Sequence, residues 1–150
     1  MIIHTQKACY TLDNMQKSEQ KFSVLVLDTS RTVQGLMQRM IETACRPATV
    51  WTTSRPNEAI NKMQTTTFDL VMLDWELAAK SNILNDIKKI KRKKIMIILT
   101  TLELTQEKID IAIKSGAHNC TNKPFDVDFF KTTLIQTQRN FDEIEAAKSN

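Results

Sequence analysis

The chain has 150 residues, 41% of them hydrophobic, and its 21 Lys and Arg exceed its 17 Asp and Glu for a net charge of +4. That length suits one compact domain with a real core, and so mild a charge excludes a global nucleic-acid signature. No apolar run approaches the ~20 residues of a membrane-spanning helix, and the N-terminus lacks the continuous apolar stretch of a signal peptide, so a cytoplasmic location is expected.

Residues 1 to 20, MIIHTQKACYTLDNMQKSEQ, show no sustained periodicity and are read as an N-terminal extension, with residues 21 to 150 as the domain. FSVLVLD (Phe22 to Asp28) is an apolar strand. In the segment from Ser30 to Ala44, Val33, Leu36, Met37, Met40, Ile41 and Ala44 fall on one helical face. ATVWTT (Ala48 to Thr53) reads as a second strand, and PNEAINKM (Pro56 to Met63) as a helix with proline in its first turn, where a missing N–H does no harm. FDLVML (Phe68 to Leu73) is the third strand, followed by a polar, irregular stretch; Ile83, Leu84, Ile87 and Ile90 then mark a helix running into the basic cluster KKIKRKK, Lys88 to Lys94. IMIILT (Ile95 to Thr100) is a fully apolar fourth strand. From Thr105 to Gly116 a capping threonine, Ile109, Ala112, Ile113 and a terminal glycine define a helix. AHNCT (Ala117 to Thr121) is a fifth strand by position more than by composition, and a long helix using Phe130, Leu134, Phe141 and Ile144 follows.

Five strands alternating with five helices predict an α/β fold, a doubly wound parallel sheet with both faces covered. Ligands in such sheets bind beyond the carboxyl ends of the strands. The first strand ends in Asp28, the third in Asp74 and the fourth in Thr100 and Thr101, and Lys123-Pro124 lies just past the fifth. Carboxylates brought together repel unless a cation lies between them, and a hard ion such as Mg2+ suits oxygen donors of this kind. Such a site fits phosphoryl transfer, which depends on positioning and charge neutralisation, with a carboxylate as nucleophile forming an acyl phosphate. Lys123 and Thr100 would hold phosphoryl oxygens.

Asp28 in LVLDTSRTV, Asp74 in LVMLDW, Thr100 in IILTT and NKPF (Asn122 to Phe125), in that order, resemble the receiver domain of two-component response regulators, and the pair Asp74-Trp75 is similar to the chemotaxis members. The resemblance covers about residues 21 to 145. It implies a flavodoxin-like fold of strand order 2-1-3-4-5, Asp74 as phosphoacceptor from a histidine kinase or phosphotransfer protein, and a Lys–Pro peptide that is often cis. It also implies Mg2+ held by Asp28, Asp74 and the backbone carbonyl of Glu76, and a downstream protein contact through about residues 104 to 145. At most self-phosphorylation and autodephosphorylation are implied as activities, with neither a nucleic acid nor a membrane as partner.

The sequence departs from the family pattern in three places. Thr29 follows Asp28 where receivers carry a second acid, so Mg2+ affinity is expected to be low, and the Glu76 side chain would restore some negative charge. ELAAKSN replaces the usual loop after the acceptor, and Cys120 stands where an aromatic switch residue is usual. These departures favour an alternative, a pseudo-receiver that binds proteins without being phosphorylated. Taken singly, Asp28 and Asp74 could be strand-terminating turn formers, Thr101 a mere neighbour of Thr100, and the basic cluster the favourable C-terminus of a helix or a polyanion patch. His4 and His118 lack partners at useful spacing and read as surface histidines. Cys9, Cys45 and Cys120, odd in number and far apart, read as reduced thiols.

Overall fold

The structure, a computed structural model, describes residues 21–90 and 94–148. Five parallel strands, β1 (Phe22–Leu27), β2 (Ala48–Thr53), β3 (Leu70–Asp74), β4 (Met96–Thr101) and β5 (Asn119–Asn122), form one sheet in the order β2-β1-β3-β4-β5. The helices among the described residues are α1 (Arg31–Ala44), α2 (Pro56–Thr65), α3 (Trp75–Lys80), α4 (Ile83–Lys88), α5 (Gln106–Ser115) and α6 (Val127–Lys148). This is the expected flavodoxin-like architecture.

Alternation along the strands assigns the two layers. Leu25, Leu27, Val71, Leu73, Ile97, Leu99 and Cys120 face one way, against Ala59 and Met63 of α2, Ile83 and Ile87 of α4 and Ala112 of α5. Val24, Val26, Leu70, Met72, Met96 and Ile98 face the other way, against Met37 and Ile41 of α1 and Phe130 and Leu134 of α6. β3 is buried along its whole length, which is why it reads as a continuous apolar run. No helix among the described residues is long and apolar enough to cross a membrane.

Three expectations need correction. The stretch after Asp74 is not irregular: α3 follows β3 directly, giving six helices where the periodicity shows five. Six residues are too few to reveal a repeat, yet Glu76, Leu77, Ala78, Ala79 and Lys80 all favour helix, and Asp74 caps it by accepting from the Leu77 N–H at 3.1 Å. His118 is buried, not on the surface. Its Nδ1 accepts the Ile97 N–H at 3.0 Å and its ring meets Phe141 edge to face, so β5 is anchored from within. Lastly, Cys45 is disulfide-bonded, whereas Cys120 is a free buried thiol; the wide spacing of the cysteines gave no signal of a pairing.

The polar residues of β5 are covered because its hydrogen bonds are made locally. Asn119 Nδ2 donates to Thr137 Oγ1 at 3.0 Å, Asn119 Oδ1 accepts the Cys120 N–H at 2.8 Å, and Thr137 Oγ1 donates to the Thr133 carbonyl at 2.7 Å. The basic cluster is described only in part. Lys88 Nζ donates to the Ser115 carbonyl at 3.2 Å and Lys94 pairs with Glu145 at 2.6 Å, while Lys91 to Lys93 lie outside the described residues, as do His4 and Cys9.

Candidate phosphoacceptor site

β1 delivers Asp28 to the carboxyl edge of the sheet. Its N–H donates to the Thr53 carbonyl at 3.1 Å, its carbonyl accepts Gln34 Nε2 at 2.6 Å, and its Oδ1 accepts the Ser30 N–H at 2.8 Å. That last bond turns the chain into α1, whose N-cap is Ser30. Asp74 is the last residue of β3 and pairs in register with Thr100 of β4, which pairs with Thr121 of β5. One residue past β5, the Lys123 N–H donates to the Thr101 carbonyl at 2.9 Å, and the Lys123–Pro124 peptide is cis.

Lys123 Nζ lies 2.5 Å from Asp28 Oδ2 and 2.5 Å from Asp74 Oδ1. All three groups are nearly closed to solvent, at 1%, 7% and 8% exposure for Asp28, Asp74 and Lys123. Two carboxylates and one ammonium leave a net charge of −1, stable in so dry a place only because the cation touches both anions. Burial alone would lower the Lys123 pKa; the hydrogen bonds and charges of Asp28 and Asp74 outweigh it and raise the pKa, so the ammonium is retained. Thr100 is buried beside this cluster, its Oγ1 donating to the Leu73 carbonyl at a long 3.3 Å, a weak bond that is easily exchanged for a better acceptor. Thr121 Oγ1, one strand over, is buried with no hydrogen-bond partner.

The fold thus brings together Asp28, Asp74, Thr100 and Lys123. The Glu76 side chain stays outside the cluster, largely exposed and 3.7 Å from Lys80, with the Glu76 backbone in the first turn of α3. The side-chain donors for a hard cation are Asp28 and Asp74. Mg2+ is commonly held by one or two carboxylates with water and substrate phosphate completing its shell, and each carboxylate here has lone pairs beyond the bonds named above. The pair fits the ion with the minimum of protein charge, since Thr29 is an exposed neutral residue.

Lys108 escapes sequence reasoning altogether. Its Nζ donates to Thr101 Oγ1 at 2.8 Å and lies 5.5 Å from the ring centroid of Trp75, the residue after Asp74. Nothing in the spacing of positions 75, 101 and 108 announces the contact; only the packing of α5 and α3 in the same layer against the sheet creates it. Cys120 lies under the same helix, and burial raises its thiol to about 11, so it stays protonated and inert at neutral pH.

The family model of the response regulator receiver domain matches residues 24–135. The chain belongs to this family. No curated protein matches the sequence. Among solved structures, the chain is similar to the signal receiver domain of a DNA-binding response regulator from Colwellia psychrerythraea, with 24% identity and TM-score 0.66 over 77% of this chain and 97% of that one. It is also similar to the receiver domain of the response regulator Ssk1 of Saccharomyces cerevisiae, solved with the histidine phosphotransfer protein Ypd1, at 16% identity and TM-score 0.63 over 76% of this chain and 86% of that one. A third is the receiver domain of a sensor histidine kinase from Pseudomonas aeruginosa, with magnesium in its active-site cleft, at 15% identity and TM-score 0.65 over 79% and 98%.

Proposed function

We propose that this protein is a receiver that accepts a phosphoryl group on Asp74 from a histidine kinase or phosphotransfer protein and signals through protein contacts. The observation that carries the reading is the buried Lys123 ammonium bridging Asp28 and Asp74. An Asp74 oxygen attacks phosphorus, the bond from phosphorus to the donor's leaving group breaks, and an acyl phosphate forms. Lys123 is placed to follow the charge from the carboxylate onto a phosphoryl oxygen, and Thr100 can exchange its weak bond to Leu73 for a second one. Mg2+, held through Asp28 and Asp74, would supply further neutralisation of phosphoryl charge.

Residues 21–150 form the receiver unit on this reading, with 1–20 as an extension and the cytoplasm as its place of work. The downstream target is assigned to the surface of about residues 104–145, where Ile111 of α5 and Phe129 of α6 are exposed apolar side chains.

Thr29, in place of a second acid, favours a second reading, a pseudo-receiver that binds partners unphosphorylated. Incubation with acetyl phosphate and Mg2+, read by intact mass, separates the two. A single phosphoryl adduct in the wild type that is absent from Asp74→Ala supports phosphoacceptance; no adduct at any Mg2+ concentration supports the pseudo-receiver.

A further inference from the structure

We propose a second ligand site, for a small polyanion bearing phosphoryl or carboxylate groups, in the cleft between α1 and the carboxyl end of β2. The cleft is an open depression of about 600 Å3, and Arg31, Gln34, Gly35, Gln38, Arg55 and Glu58 are among the residues that line it. It lies on the β2 side of Asp28, away from Asp74.

Two arginines from different elements face this cleft, and among the described residues neither guanidinium has an acidic partner. The guanidinium fork matches the oxygens of phosphate and carboxylate, and two forks on one cavity suit a ligand with more than one anionic group. The ten-residue helix α2 also starts at the cleft. Its N-cap residue, Arg55, makes no side-chain cap bond, proline opens the first turn and Glu58 is the acid in it. The wall also carries the exposed Glu58, whose Oε1 accepts Oγ1 of Thr53, another lining residue, at 2.6 Å, so two guanidinium groups and one carboxylate leave the lining net positive.

Gly35 is the independent sign that the space is kept open. It occupies the middle of α1, where glycine weakens a helix relative to alanine. A Cβ built there would meet nothing within 4 Å and its φ is not in the left-handed region, so neither packing nor backbone requires glycine. Any sizeable side chain would instead project into the cleft. Because no aromatic or large apolar residue is among the lining residues, a flat base would find no face to stack on. The walls thus select a hydrophilic polyanion, such as a phosphorylated sugar or a polycarboxylate, over a nucleotide.

The test is calorimetric titration of the full chain with pyrophosphate, glucose 6-phosphate, citrate and AMP at fixed ionic strength. Saturable, sub-millimolar binding of pyrophosphate, glucose 6-phosphate or citrate is expected, and the tightest of these names phosphoryl or carboxylate as the preferred group. Affinity should fall at least tenfold in the Arg31→Gln/Arg55→Gln double variant and in Gly35→Leu, hold in Gly35→Ala, and be unchanged in Asp74→Ala, with thermal unfolding of each variant confirming its fold. Absence of saturable binding, affinity indifferent to both arginines, preference for AMP, or loss of binding in Asp74→Ala would overturn the proposal.

Discussion

Replacing Lys123 with methionine removes the cation that bridges the two buried carboxylates while keeping most of the side chain's volume. Asp28, Asp74 and Lys123 are each under a tenth exposed, and the ammonium is 2.5 Å from both acids. Removing one member of a buried ion network costs about 3–5 kcal/mol, because the remaining charges stay desolvated and uncompensated. Domains of this size hold roughly 5–15 kcal/mol in total, so the loss is a large fraction of it, and Tm should drop on the order of 10 °C. Urea unfolding followed by circular dichroism and extrapolated linearly measures it. The triple variant Lys123→Met/Asp28→Asn/Asp74→Asn supplies the decisive comparison. It removes all three charges but keeps amide oxygens to accept from Ser30 and Leu77, and it should be more stable than the single variant despite carrying more substitutions. A single variant within about 1 kcal/mol of wild type, or a triple variant no better than the single, would refute the bridged-carboxylate account.

Thr29→Asp should tighten Mg2+ binding about tenfold, the scale of one added carboxylate facing a divalent ion near the surface; isothermal titration with MgCl2 reads it, and an unchanged affinity would place position 29 out of reach of the ion. His118 has a pKa lowered by burial against the opposing pull of Glu145. The unfolded chain therefore takes up a proton near pH 6.5 that the folded chain refuses, so stability is complete above that pH and declines as pH falls toward the lower folded pKa. His118→Asn, whose Oδ1 can still accept the Ile97 N–H, should flatten this decline in unfolding curves recorded across the range. Gly116→Ala should cost about 1–2 kcal/mol by denaturant titration, because the residue holds φ +108° at the stop of α5; the clash of its Cβ with the end of Lys88 is relieved by moving a flexible side chain and adds little.

The four residues of the cluster are legible in the sequence because each follows directly from where a strand stops. An apolar run of five or six residues fixes its own direction, and parallel pairing puts every carboxyl end on one edge. Asp28, Asp74, Thr100 and Lys123 inherit their proximity from that rule, with no knowledge of side-chain geometry. Features made by packing across the sheet are not legible in this way. Lys108 meets Trp75 only because α5 and α3 pack in the same layer against the sheet, and Arg31 and Arg55 share a cleft only because β1 and β2 are neighbours. α3 is hidden by its shortness, and the burial of His118 by the polar residues of β5 that follow it, which show no apolar alternation. In each case the deciding interaction spans more than twenty residues or fewer than two helical turns, outside the window in which hydrophobic periodicity speaks.

The central claim is that Asp74, held by Lys123 at the end of β3, is the residue that carries the phosphoryl group. Borohydride reduction after exposure to acetyl phosphate and Mg2+ converts an aspartyl phosphate to homoserine, which peptide mass mapping locates. Homoserine at position 74 alone is the predicted result; homoserine at position 28, or none at any position under conditions that label another receiver in parallel, would contradict it.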